Sequence, residues 1–168
     1  AKTAPLVYQA RDWNHGVFVG SAMASETTAA AAGQVGVVRR DPMAMIPFCG
    51  YNMGDYFRHW IEMGKRVSHQ PKIFNVNWFR LDENGNFIWP GFGDNFRVLL
   101  WIMARAEEKI DAVETPIGFI PKPEDIDLED MDYEIYPGHK FDRSDLESIL
   151  KVEKSYWIED MENLKEFY

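Results

Sequence analysis

Cysteine is nearly missing from this sequence. Cys49 stands alone among 168 residues, so no internal disulfide can close and no cysteine-based zinc site can form. A lone cysteine suits a reducing compartment. Long apolar runs are missing too, and nothing approaches the ~20 residues that cross a bilayer. No N-terminal stretch has the layout of a signal peptide. The sequence contains no G-x-x-x-x-G-K-[ST] phosphate loop, no G-x-G-x-x-G fingerprint and no G-x-S-x-G elbow. Its four histidines, His15, His59, His69 and His139, lack metal-ligand spacing such as H-E-x-x-H, and each reads as a structural histidine.

Basic residues are also scarce. Lys and Arg number 18 against 27 Asp and Glu, a net charge of −9. Nucleic-acid partners need a basic face, so that class is disfavoured. The deficit is uneven. Residues 1–106 hold 11 basic and 8 acidic residues, while 107–168 hold 7 and 19. The first two-thirds are therefore mildly basic and compatible with an anionic ligand. A hydrophobic fraction of 46% with 27% charged residues describes a folded chain of about one domain. The chain opens on Ala1 rather than Met and enters APLVYQ almost at once, which suggests a processed protein or a fragment.

What is present reads as mixed α and β (α+β). Residues 5–10 and 16–20 (GVFVG) look like strands, apolar and bounded by Pro or Gly. Residues 21–36 are made of small side chains, and 35–40 read as a strand. Residues 41–51 are turn-rich. Asn52 can cap a helix to about Lys65, with Met53, Tyr56, Phe57, Trp60, Ile61 and Met63 at helical spacing. Residues 72–80 alternate like a strand, LDENGN turns the chain and FIW at 87–89 returns it. After the tight loop PGFGD, Asp94 or Asn95 can cap a helix striped by Phe96, Leu99, Leu100, Ile102 and Met103. Residues 115–121 look extended and 122–140 acidic and irregular. Short helices over about 142–153 and 155–166 close the chain.

The densest chemical feature is NWFRLDENGNFIWPGFGDN, residues 77–95. Trp78, Phe79, Phe87, Trp89 and Phe92 place five aromatics in nineteen residues, with Gly91 and Gly93 beside them. Two such rings can sandwich a flat ligand ring. Glycine lets backbone approach it, and Asn95 with backbone groups can read its edge. Cross-strand packing in a half-buried hairpin is the rival reading, and the pattern alone favours it.

A second feature is ASETTAAAAGQVG, residues 24–36. One reading is a short surface helix capped at Ser25, which the pattern alone favours. The other is a lid that orders over a bound ligand. His15, beside Gly16, could act as a base or a ligand. The acidic run 123–134 lacks the EF-hand order of ligands and glycine and reads as a solvated face. Cys49, between Phe48 and Gly50, reads as a packed thiol.

These motifs lie in a recognisable order. WNHGVFVGSAMASETTAAA, RRDPMAMIPFCGYNMGDYFRHW, and KIFNVNWFR followed by FIWPGFGDNFRVL resemble the C-terminal part of GTP-dependent phosphoenolpyruvate carboxykinase, closest to its bacterial branch. The resemblance covers nearly three-quarters of the chain and fades in the tail. It implies the family's C-terminal nucleotide-binding lobe, incomplete without upstream segments. Residues 1–121 would form the lobe segment, and 122–168 an acidic linker and helices of the same lobe.

The implied activity converts oxaloacetate and GTP to phosphoenolpyruvate, GDP and carbon dioxide, in gluconeogenesis, with Mn2+ and Mg2+ assisting. Phe79, Phe87 and Phe92 would line the guanine pocket. Gly93, Asp94 and Asn95 would meet the base edge. Ser25, Glu26, Thr27, Thr28, Ala29, Ala30 and Ala31 would belong to the Ω-loop lid. The phosphate loop, the metal ligands and the arginines that hold oxaloacetate would come from upstream polypeptide, so no catalytic or metal-binding residue is expected here and the piece alone should be inactive. The family is cytoplasmic and typically monomeric, with no membrane or nucleic-acid partner.

The sequence departs from the family at several positions. Asp94 and Ala32 stand where Glu is usual, and Cys49 where many relatives have Phe. Ala24 and Ile46 replace the arginines of vertebrate-type members. Two other readings remain: a stand-alone guanine-nucleotide module, and an interaction domain whose acidic tail binds a basic partner.

Overall fold

The computed structural model describes residues 4–26 and 38–167. In chain order the strands are β1 (Val7–Gln9), β2 (Ala24–Glu26), β3 (Val38–Arg40), β4 (Phe74–Val76), β5 (Val113–Thr115), β6 (Gly118–Ile120), β7 (Glu134–Tyr136) and β8 (His139–Lys140). The helices are α1 (Trp13–Ser21), α2 (Met53–Arg66), α3 (Asn95–Ala106), α4 (Arg143–Leu150) and α5 (Lys154–Phe167). The architecture is mixed helix and sheet. Two compact units divide the chain: one takes residues 1–10 and 74–162, the other 11–73 and 163–168.

The first unit is built on an antiparallel sheet in the order β4-β1-β6-β5. Val7 faces Val76 and Gln9 faces both Phe74 and Phe119, so β1 is paired on both edges. It is correspondingly buried along its length, Gln9 included. The expected extended segment 115–121 is a tight hairpin of β5 and β6, closed where Thr115 Oγ1 donates to the Gly118 carbonyl at 2.7 Å. Leu6, Trp89, Val98, Trp101, Ile126, Leu146 and Ile149 fill the core.

Much of that core comes from the acidic third. Residues 122–140, expected to be irregular, include the β7–β8 hairpin, and their carboxylates fold the backbone. Asp125 accepts from the Lys122 N–H at 3.0 Å and Asp127 from the Glu129 N–H at 2.8 Å. Asp142 and Asp145 form a reciprocal capping box that starts α4.

The second unit overturns one expectation. GVFVG at 16–20 lies in helix α1, not a strand. Its apolar, glycine-flanked composition imitates a strand, but Asp12 decides the matter from outside the segment. The Asp12 carboxylate accepts from the His15 N–H at 2.8 Å and nucleates the first turn. Helix α2 forms as expected from Asn52, whose side chain accepts from the Gly54 N–H at 2.8 Å. All six of its anticipated apolar residues are half-buried. Helices α1 and α2 meet where the Trp13 indole donates to the Trp60 carbonyl at 2.7 Å. Gly64 makes that approach possible, since a Cβ there would overlap the Trp13 ring.

Two further expectations need correction. Residues 72–80 are not one strand, because pairing stops at Val76. Asn77, just past the strand, is buried; its N–H donates to the Leu6 carbonyl at 2.9 Å and its Nδ2 to the Ala4 carbonyl at 2.8 Å, and the chain turns after it. Helix α3 forms, but it buries Val98 and Trp101 and exposes most of the predicted stripe of Phe96, Leu99, Leu100 and Met103. The sequence NFRVLLWIMARA is apolar on nearly every face, so periodicity cannot select the buried one.

Candidate functional site

Residues 77–95 form a short turn and a loop, both in the first unit. The expected hairpin is reduced to a single bridge, Leu81 to Phe87, with the Ile88 N–H donating to the Arg80 carbonyl at 3.0 Å. Asp82 folds its turn. Its carboxylate accepts from the Asn84 and Asn86 N–H groups at 2.9 and 2.8 Å, and from the Asn86 side chain at 2.9 Å. The Asn86 side-chain hydrogen bond, then those backbone N–H groups, hold the Asp82 carboxyl below its ordinary pKa. Tyr133 fixes the returning chain by donating to the Phe87 carbonyl at 2.7 Å.

This turn brings Phe79 and Phe87 together. Their ring centroids lie 6.2 Å apart at 64°, and the residues are 64% and 51% exposed. Trp89 points the other way. It is 1% exposed and packs edge-on against Phe141 at 5.6 Å. Gly91 then takes a φ of 77°, which glycine adopts freely, and Phe92 follows at 36°. A left-handed phenylalanine is strained by about 1–3 kcal/mol. Phe92 is also 99% exposed, so packing against the protein repays none of that cost.

The loop ends on the first turn of α3. Asp94 does not cap the helix with its side chain; it pairs with Arg97 Nε at 2.8 Å. Asn95, the alternative cap, is the first helical residue, and its Oδ1 accepts from the Trp89 indole N–H at 2.8 Å. A groove of about 440 Å³ beside the loop is lined by Gly93, Asp94, Phe96, Arg97 and Leu100, and by none of the three phenylalanines.

Phe79 and Phe87 form an exposed pair, and Phe92 stands exposed on strained backbone beside Gly91, Gly93 and the helix-start amide; exposed rings of this kind can stack on a flat ligand ring. A sequence model of the family described as "Phosphoenolpyruvate carboxykinase C-terminal P-loop domain" matches residues 1–168. The chain belongs to this family. Curated relatives named phosphoenolpyruvate carboxykinase [GTP] include one from Renibacterium salmoninarum, 52% identical over 99% of this chain. Another, from Thermoplasma volcanium, is 49% identical over 100% of it. A third, from Treponema pallidum, is 50% identical over 98%. The matches cover 26%, 27% and 26% of those relatives, so the chain spans about a quarter of their length.

The other phosphoenolpyruvate carboxykinase motifs divide unevenly. Of the expected lid, Ser25 and Glu26 lie in β2, paired antiparallel to β3. Thr27, Thr28, Ala29, Ala30 and Ala31 lie outside the described residues, as does Ala32. Ser25 donates to the Asp41 carboxylate at 2.8 Å, and Asp41 is buried. His15 has a structural setting: its Nδ1 accepts from the Arg11 N–H at 3.1 Å, which closes the helix cap. Burial, then the charge of Arg11, pushes its pKa down. Among the described residues no three His, Cys, Asp or Glu side chains converge to hold a metal, and no helix is long and apolar enough to cross a membrane.

The sequence singles out the three phenylalanines but not the residues that support the turn around them. Asn77, Asp82 and Tyr133 hold the turn that carries Phe79 and Phe87. Only the D-x-x-x-N spacing of Asp82 and Asn86 carried a local signal, of the kind seen in side-chain-bonded turns.

Proposed function

We propose that this chain supplies the guanine-binding part of a GTP-dependent phosphoenolpyruvate carboxykinase, the enzyme that converts oxaloacetate and GTP to phosphoenolpyruvate, GDP and carbon dioxide in gluconeogenesis. The observation that carries the reading is Phe92, fully exposed on a left-handed backbone in the same 77–95 segment as the exposed Phe79–Phe87 pair. A ring kept in solvent at a conformational cost stabilises nothing within the described residues, and a stacked base would give it a partner. Gly93, Asp94 and Asn95 would meet the base edge. The mildly basic composition of residues 1–106 tolerates a triphosphate.

The segment 25–31 would serve as the lid that shields the reacting enolate from stray protons. The described residues do not fit a metal centre, so no step is assigned to a metal on them. The Mn2+ and Mg2+ of this reading, the phosphate loop and the oxaloacetate-binding arginines would belong to the rest of a longer polypeptide, in a nucleotide-binding lobe this chain completes. That protein would be cytoplasmic and monomeric. Phosphoryl transfer needs positioning of the phosphates together with charge stabilisation, so the 168-residue chain alone should be inactive.

Isotope-labelled carbon dioxide exchange into oxaloacetate tests this. The full-length protein is expected to exchange label when GTP is present, and the isolated chain is expected not to. Robust exchange by the isolated chain would contradict the division of labour. No exchange by the full-length protein would contradict the activity.

A further inference from the structure

We infer that Trp89 is a positioning residue that sets which end of the Asn95 amide faces the bound base, and thereby selects a 6-keto purine over a 6-amino purine. The inference rests on the guanine-binding reading above and deepens it. An indole N–H can only donate, so the Asn95 atom 2.8 Å from it must be the carbonyl oxygen. Trp89 is buried and fixed by its edge-on contact with Phe141, so the donor does not move away. Asn95 Nδ2 is thereby turned from Trp89, and it meets no acceptor among the described residues.

Asn95 directly follows the Phe92-Gly93-Asp94 turn, at the half-exposed start of α3. Its backbone N–H is already used on the Gly93 and Phe92 carbonyls, so its free polar capacity lies mainly in the side-chain amide. A base edge that meets an NH2 group must present an acceptor. The 6-oxygen and N7 of guanine or hypoxanthine are both acceptors. Adenine offers a 6-amino donor beside N7, which opposes the amide donor. An unconstrained asparagine could flip its amide to suit either base; the Trp89 hydrogen bond removes that freedom.

The test uses the full-length enzyme with GTP, ITP and ATP. ITP and ATP restrict the comparison to the N1/C6 edge, because neither carries the 2-amino group. Trp89→Phe keeps a buried ring and removes the N–H. It is expected to lower the ITP-to-ATP ratio of kcat/KM roughly tenfold, about the worth of one well-made hydrogen bond, through KM rather than kcat. An equal loss on all three nucleotides, or an unchanged ratio, would overturn the positioning role.

Asn95→Asp decides the question independently if Trp89→Phe does not fold. One carboxylate oxygen still accepts from Trp89, and the other presents an acceptor to the base. Preference is expected to move toward ATP. Retained preference for ITP and GTP would overturn the inference while leaving guanine binding intact. A wild-type enzyme indifferent to the purine would instead remove the underlying reading.

Discussion

Phe92 joins two features that seldom coincide, full exposure and a positive φ on an aromatic residue. The density of aromatics and glycines in 77–95 made the cluster legible in the sequence. It did not reveal which rings face solvent, because that depends on Asn77 and Tyr133 reaching across the fold as well as on the local turn of Asp82. Histidines were less legible. His139 stacks on Tyr136 with centroids 4.9 Å apart, and its Nε2 lies 3.0 Å from both Asp145 carboxylate oxygens. The Asp145 hydrogen bond, against some desolvation, raises its pKa above the ordinary 6.5. The folded pKa thus exceeds the unfolded one, so this pair stabilises fully below about pH 6.5 and its contribution fades as pH rises through the folded value. Histidine-selective NMR should show His139 titrating above 6.5, and Asp145→Asn should bring it back down. A midpoint unmoved by that substitution would show that the pair is not formed.

At the scale of elements, α2 was readable end to end because its cap, stripe and length agree. Helix α1 was not, since its nine residues include two glycines and two valines, and its cap lies one residue outside the segment. Helix α3 was readable as a helix but not in its facing. The α1–α2 contact gives a prediction with opposing terms. Gly64→Ala should gain about 1 kcal/mol in helix propensity. It should lose about 1–3 kcal/mol to overlap with Trp13, whose indole is held by the Trp60 carbonyl and cannot swing aside freely. The expected balance is destabilisation, measured by urea unfolding, and a stabilised variant would mean that the two helices do not meet as described. In α4, Asp142→Ala removes the acceptor for the Ser144 and Asp145 N–H groups. It should cost about 0.5–2 kcal/mol in the same assay, and no loss would argue against the cap.

For the molecule as a whole, the charge map changes meaning. Residues 107–168 hold 19 acidic residues, and the run 123–134 among them reads from sequence as a solvated face. The structure makes several of those carboxylates turn and cap acceptors, and buries Ile126, Ile135, Phe141, Leu146 and Ile149 in the core of the unit that carries Phe92. The sequence reading missed this because acidic residues dominate the composition while the apolar ones are spaced singly among them. Deleting residues 122–168 should therefore abolish cooperative unfolding of that unit, as followed by circular dichroism. A truncated chain that still unfolds cooperatively would refute this.

The guanine-binding claim is tested most directly by Phe92→Ala in the full-length enzyme, with GTP affinity read by calorimetry. One lost stacking contact should weaken binding by about 1–3 kcal/mol, roughly 5- to 150-fold, without a change in thermal stability, since the ring buries nothing. Unchanged GTP affinity would contradict the account.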